Sequence, residues 1–325
     1  MKPLEINLID SNIGNQNVEA TFNIWHSPED IVYYKPPNTQ AHLPTLFTDE
    51  QMLFADGLPE EFKAGVYPAM MRAHYPDLAH REGNGTQIGL FLEPRTIKPI
   101  AYLYFEQFPE FVDNFSAIFT HDDTLLSMSD TFKKMPLSGG NYTLEEDCRL
   151  YDKTKNISIV ASEKIATEGH LLRHEVVATY RDSVDAYGPD YTNLYPDYID
   201  EPTDTLQGKY KHITGNLVRA FRDYRYSIVI ENVRQESLFT EKIINCFATG
   251  TVPIYWGARD IESRFDEAGI ITFNTLEELG RILPILGEKD YNSRRDAMKV
   301  NYNKSKEFWS YDDYLSRRLR EVLDG

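Results

Sequence analysis

Cysteine is almost absent from this chain. Two in 325 residues, Cys148 and Cys246, exclude a disulfide framework, and Cys246, on the apolar side of a predicted helix, reads as a small buried hydrophobe. There is no apolar run of the roughly 18 to 20 residues that a membrane span requires. The opening segment MKPLEINLID has no apolar core of a secretion signal. Together these point to a cytoplasmic protein without a transmembrane segment, and the Asn-X-Ser/Thr triplets at Asn84 and Asn156 read as chance. Positive charge is scarce as well: 34 basic against 51 acidic residues leave a formal charge of −17. A surface of that sign does not grip a polyanion through broad electrostatics, so nucleic acid is excluded as a partner. Internal repeats and low-complexity tracts are also missing.

What the chain has is the makeup of an ordinary globular protein, 41% hydrophobic and 26% charged, with length enough for two cores. Leu4 to Ile9, Ala20 to Trp25, Gln87 to Leu92 and Phe115 to Thr120 read as strands, with helical fragments over Phe47 to Met71 and a helix over Thr96 to Phe108. Strands alternating with helices predict a doubly wound α/β sheet over residues 1–150. Pro136 to Lys155, with Gly139-Gly140, reads as a linker. A second α/β domain follows over 151–300. Its strands are Ile157 to Ala161, Val184 to Tyr187, Ser227 to Ile230, Val252 to Trp256 and Gly269 to Phe273. Helices are expected from Thr167 to Arg181, Gly215 to Tyr224 and Thr275 to Leu286, and a helical tail over 301–325. Asp190 to Thr205, rich in Tyr, Asp and Pro, reads as an irregular loop.

The most informative stretch is YRYSIVIENVRQESLFTEKIINCFATGTVPIYWG, from Tyr224 to Gly257. A β-branched strand ends in Glu231 and Asn232, a loop follows, Thr240 caps a helix that opens Glu241-Lys242, and Gly250 stops that helix before the next strand. Ligands of open α/β sheets sit beyond the carboxyl ends of the strands, and a helix N-terminus offers N–H groups to a phosphate. Glu231, Asn232, Thr240, Glu241 and Lys242 all fall at that edge. A nucleoside diphosphate suits them, its ribose hydroxyls donating to carboxylates and its phosphates accepting from the ammonium and the helix N–H groups. A capped helix carrying Glu and Lys on its exposed face accounts for the same spacing equally well.

The same string, with Glu-Asn, Thr-Glu-Lys and Gly-Thr-Val-Pro-Ile-Tyr-Trp-Gly, resembles the donor-binding signature of the α-1,3-fucosyltransferases, glycosyltransferase family 10. The resemblance implies a GT-B architecture, two Rossmann-like domains facing a cleft, with GDP-fucose held in the second. It implies donor binding by Arg173, Glu231, Asn232, Thr240, Glu241 and Lys242. Arg173 enters because Ile159-Val160-Ala161-Ser162, followed by a helix bearing it, is similar to the family's strand and phosphate-binding arginine, whose fork can grip a departing diphosphate. The family's tyrosine four residues before the lysine is Leu238 here, and Arg234, Gln235 and Glu236 replace aromatic residues, a departure that bears on the base or sugar bound.

In the first domain Phe119-Thr120-His121-Asp122, with Met135-Pro136-Leu137 after it, resembles the family's end of that domain and sets Glu93 near its general base. A carboxylate at a strand terminus can take the proton of an acceptor hydroxyl; Asp122 and Glu106 are the fallbacks. His170 and His174 lack a third metal ligand, and Asp122-Asp123 and Asp182 with Asp185 read as solvated acidic surface, so no metal and no cofactor beyond the nucleotide sugar is expected. The expected function is inverting transfer of a sugar, fucose from GDP-fucose, to a glycan hydroxyl. The alternatives are a transferase of the same fold using GDP-mannose or a UDP-sugar, and a non-catalytic nucleotide-sugar-binding protein.

Overall fold

The computed structural model describes residues 4–9, 31–34, 40, 42–54, 85–138, 145–188, 210–212 and 217–324. The chain forms two compact units, Met1–Gly139 together with Ser310–Gly325, and Gly140–Trp309. The sequence sets 301–325 apart as a tail, whereas Ser310–Gly325 groups with the N-terminal unit, where the helix Tyr311–Leu323 packs against the strand Ile31–Tyr34.

In the first unit the strands are β1 (Leu4–Ile9), β2 (Ile31–Tyr34), β3 (Thr45–Thr48), β4 (Gln87–Leu90), β5 (Ala117–Thr120) and β6 (Phe132–Lys134). All pair in parallel, in the order β2-β1-β3-β4-β5-β6. Helix α1 (Pro99–Gln107) packs Tyr102, Tyr104 and Phe105 into a core shared with Phe47, Phe91, Phe111, Phe115 and Phe132. The expected helix from Thr96 begins later, because Pro99 has no N–H to contribute and suits a first turn. The helical fragment expected from Phe47 is instead the end of β3, all four residues of which are buried, followed by a 3-10 turn over Asp49–Phe54. β2 and β6 were not foreseen. The strand expected at Ala20 to Trp25, the remainder of Phe47 to Met71 past residue 54, and Asp190 to Thr205 lie outside the described residues.

The second unit has β7 (Lys155–Val160), α2 (Glu168–Tyr180), β8 (Asp185–Gly188), β9 (Tyr210–His212), β10 (Tyr224–Ile230), α3 (Glu241–Ala248), β11 (Val252–Trp256) and β12 (Ile271–Thr272). Its sheet is again parallel, in the order β9-β8-β7-β10-β11-β12. That is the strand order of a dinucleotide-type Rossmann sheet, which reverses direction between β7 and β10. Ile228, Val229 and Ile230 form a continuous apolar run because a central parallel strand is covered on both faces. The helix expected over Gly215 to Tyr224 shrinks to a 3-10 turn, Leu217–Ala220. Side chains from elsewhere, Ser158 at Ala220 and Thr251 at Phe221, take carbonyls that a continuing helix would need.

Candidate functional site

The reversal point of the second sheet is where the chain gathers charge. After β7, Thr167 caps α2, its hydroxyl accepting from the His170 N–H. After β10 come Glu231 and Asn232, and Thr240 caps α3 by accepting from the Lys242 N–H. Gly169, in the first turn of α2, donates its N–H to the Asn232 carbonyl at 3.0 Å. A Cβ on Gly169 would lie 1.7 Å from the Glu231 carbonyl oxygen, so only glycine lets the helix start approach the strand end this closely.

Arg173, one turn further along α2 and 5% exposed, donates from Nε and Nη2 to the Ile230 carbonyl at 2.9 and 2.5 Å, and from Nη2 to Asn232 Oδ1 at 2.9 Å. Nη1 has no protein partner among the described residues. Glu231 is fully buried; Oε1 accepts from the Thr240 N–H at 3.0 Å and Oε2 from the Thr240 hydroxyl at 2.7 Å. The Lys242 ammonium donates to Thr240 Oγ1 at 2.9 Å and to Glu241 Oε1 at 2.8 Å, and lies 3.6 Å from Glu231 Oε2. Thus the fold brings Arg173, Glu231, Asn232, Thr240, Glu241 and Lys242 into one cluster.

The expected ribose contact is not available to Glu231, whose two oxygens are taken by Thr240 and which has no exposed surface. It acts as a brace that holds the cap of α3 and attracts Lys242. Burial raises its pKa, with Lys242 opposing. For Lys242 burial pulls the other way, but Glu241 and Glu231 outweigh it and the ammonium is held above its usual range. His170 is pushed down to about 4, first by burial and then by Arg173, Lys164 and Lys242. Arg173, Lys164 and Lys242 all act on His170 in the same direction as its burial, so three cations lie around this helix start in a strongly acidic chain, and cations beside a helix N-terminus suit a phosphate. His170 Nδ1 lies 2.9 Å from the Thr167 hydroxyl and His174 Nε2 lies 3.2 Å from the Lys164 carbonyl. No group of three or more His, Cys, Asp or Glu that could hold a metal occurs among the described residues.

Three contributors escaped the sequence. Gly169 and Gly257 are the close-approach points; a Cβ on Gly257 would sit 2.6 Å from Glu231 Cγ. Tyr255 places its hydroxyl against Glu231 and accepts from the Ala258 N–H at 3.0 Å. For Gly169 the available signal was a glycine within the first turn of a predicted helix; Tyr255 and Gly257 lie in the signature string, which carried no separate role for them. Leu238, at the position where the resembled signature has tyrosine, is 3% exposed.

In the first unit three neighbouring strands each deliver a carboxylate at the carboxyl edge: Asp49 after β3, Glu93 after β4 and Asp122 after β5. Asp122 is engaged. It caps the turn at Leu125 at 3.1 Å and takes Arg95 Nε and Nη2 at 3.2 and 3.0 Å, while Arg95 Nη1 reaches Glu106 Oε1 at 2.6 Å. Both fallbacks therefore serve to anchor Arg95. Glu93 is half-buried. Its backbone is held by Asp49 and Tyr102, neither of which sequence patterning singled out.

No protein-family model matches the chain. A 139-residue stretch is 28% identical to an α-(1,4)-fucosyltransferase of Arabidopsis thaliana, covering 40% of this chain and 33% of that protein. The match therefore spans about a third of the curated relative. The whole chain is similar in structure to a crystal structure of an α1,3-fucosyltransferase, with a TM-score of 0.52, 14% identity and 91% of that chain covered. A crystal structure of α1,3-fucosyltransferase with GDP gives a TM-score of 0.50 at 15% identity, again over 100% of this chain and 91% of that one. At these identities the likeness bears on the fold, and the fold is α/β with two Rossmann-like units, the GT-B class.

Proposed function

We propose that the chain is an inverting glycosyltransferase that moves fucose from GDP-fucose to a glycan hydroxyl and needs no metal. The observation that carries this reading is the Arg173–Glu231–Lys242 cluster at the reversal point of a Rossmann-ordered sheet, between two threonine-capped helix starts. A diphosphate there meets the free Nη1 of Arg173, the Lys242 ammonium and the N–H groups of α3. The names of the similar proteins, fucosyltransferases, one of them solved with GDP, support a GDP-linked donor.

In this reading the second unit holds the donor and stabilises the leaving group. As the bond from the anomeric carbon to the phosphate breaks, negative charge grows on the diphosphate, and cations already fixed in place meet it without reorganisation. Glu93 of the first unit takes the proton of the acceptor hydroxyl as that oxygen forms its bond to the anomeric carbon, and attack opposite the leaving nucleotide inverts the configuration. Glu231 keeps Thr240 and Lys242 aligned, while Glu241 and Asn232, at the margin of the cluster, take the sugar and ribose hydroxyls. Leu238 and the Arg234-Gln235-Glu236 run, where the family carries aromatic residues, favour GDP-mannose or a UDP-sugar as the second reading.

Calorimetric titration of the full chain with GDP and with UDP separates a GDP-linked donor from a UDP-linked one, and incubation with GDP-fucose or GDP-mannose and a glycan bearing a free 3- or 4-hydroxyl separates the two sugars and tests transfer. Binding of GDP with transfer of fucose is expected. Binding of UDP in place of GDP overturns the donor, and tight GDP binding without release of fucose to any acceptor or to water makes the chain a binding protein.

A further inference from the structure

The peptide of Glu93 is clasped on both sides. Asp49 Oδ1 accepts from the Leu92 N–H at 2.9 Å and from the Glu93 N–H at 3.1 Å. The Glu93 carbonyl accepts from the Tyr102 hydroxyl at 2.7 Å. That hydroxyl spends its one proton on Glu93, so the His121 Nε2 at 3.3 Å is the donor to Tyr102 oxygen. The His121 tautomer is thereby set, and its Nδ1 lies buried without a hydrogen-bond partner among the described residues. Arg95, two residues beyond Glu93, stacks 4.9 Å from the Tyr102 ring and is anchored by Asp122 and Glu106.

Asp49 is an unusual residue in an unusual conformation. It follows β3, beside the point where the first sheet's strand order reverses, and ligands of open α/β sheets gather at such points. Its φ is +43°, in the left-handed region that L-residues rarely adopt, and it is 7% exposed. A buried carboxylate in a strained backbone is poor material for a merely structural turn. Asparagine would hold the same two N–H groups without a charge to desolvate. Strain of this kind collects at functional sites.

We propose that Asp49 is a positioning residue for the reaction: through its two backbone bonds, and with Tyr102 and His121 on the opposite side, it fixes the turn that presents the Glu93 carboxylate to the acceptor hydroxyl. The proposal rests on the reading of Glu93 as the general base. The charged and titratable groups around Asp49 are Glu93 and Lys98 on its own edge of the sheet, Tyr102 from α1 and Tyr311 from the C-terminal helix.

The test compares Glu93→Gln, Asp49→Ala, Asp49→Asn and Tyr102→Phe in the full chain, with GDP affinity by calorimetry and GDP release from GDP-fucose in the presence of acceptor. Asp49→Ala is expected to lower kcat about a hundredfold, the scale of a misplaced catalytic group, with GDP affinity and donor KM unchanged. Asp49→Asn, which keeps the acceptor oxygen, is expected to recover most of that loss. Tyr102→Phe, which releases the Glu93 carbonyl, lowers kcat in the same pattern and stands in should Asp49→Ala not fold. An unchanged kcat in Asp49→Ala or Tyr102→Phe, equal losses in Asp49→Ala and Asp49→Asn, or a loss that appears in donor KM and not in kcat, overturns the positioning role. A fully active Glu93→Gln instead overturns the base itself, so the two failures are distinguishable.

Discussion

Arg173 donates two hydrogen bonds to the carbonyl oxygen of Ile230, at 2.9 and 2.5 Å, across a separation of 57 residues. Ile230 ends the central strand of the second sheet, and Arg173 lies on the helix that follows the neighbouring strand. The guanidinium thus ties the two sides of the sheet's reversal point together with one edge and leaves Nη1 for a ligand. The residue serves architecture and, in the proposed function, binding as well, and that shapes what its removal is expected to do.

Arg173→Ala and Lys242→Ala are each expected to weaken GDP binding by about 2 kcal/mol, the worth of a charge-assisted hydrogen bond to phosphate. Arg173→Ala also strips the Ile230 carbonyl of its donors and lowers stability, whereas Lys242, at 26% side-chain exposure, is replaced with a smaller loss of stability. Calorimetry and thermal melts on both variants read the two effects apart. GDP affinity unchanged in both would remove the diphosphate from this site.

Glu93→Gln is expected to bind GDP and donor as the parent does and to lose transfer by roughly 10²- to 10⁴-fold, the range for a general base. Single-turnover assays measure this directly. Retained activity would move the base to another group on this edge, and neither Asp122 nor Glu106 is open for the task while Arg95 occupies them.

Burial raises the Asp49 carboxyl to about 7, against the opposing pull of the Glu93 and Leu92 N–H groups. Its unfolded value is near 3.8, so folding takes up a proton between these values. The contribution to stability is fully present below about pH 4 and is lost as pH rises through 7. Relative to Asp49→Asn, which does not titrate, the parent should therefore lose up to about 4 kcal/mol between pH 4 and pH 8. Denaturant melts of both proteins at several pH values measure the difference, and parallel curves would show that Asp49 ionises normally.

Gly169→Ala drives a methyl group into the Glu231 carbonyl and must separate α2 from the end of β10. A loss of about 3 kcal/mol, the upper part of the overpacking range, is expected together with weaker GDP binding. Gly287, where a Cβ meets nothing within 4 Å, is the control. Its alanine variant should stay within about 1 kcal/mol of the parent. Equal melting temperatures for the two variants would show that the close approach at Gly169 is not needed.

Chelation addresses the remaining electrostatic question. If Arg173, Lys242 and the α3 N-terminus neutralise the departing diphosphate, turnover of GDP-fucose in excess EDTA should equal turnover in Mg²⁺. Activity that vanishes with EDTA and returns with a divalent cation would place a metal where these residues are assigned.

Local chemistry determined a good deal by itself. The run Ser227 to Ile230, the cap at Thr240, the stop at Gly250 and the strand after it were readable because a buried parallel strand needs continuous apolar residues and a helix start needs a side-chain acceptor. Those rules placed Glu231, Asn232, Thr240, Glu241 and Lys242 at one edge before any contact was known. Tertiary structure decided which of them face outward. Glu231 and Lys242 look alike on the page as charged residues at an edge, yet Glu231 is sealed beneath Thr240 and Tyr255 while Lys242 keeps an exposed side, a difference set by the packing of β10, β11 and α3. Arg173 joined them only because the strand order reverses between β7 and β10, and strand order is a matter of long-range pairing that no local pattern encodes. Asp49 shows the limit most sharply. Its short strand resembles a helical fragment in sequence, and its role exists only where Leu92 and Glu93, 43 and 44 residues later, bring their N–H groups to one oxygen.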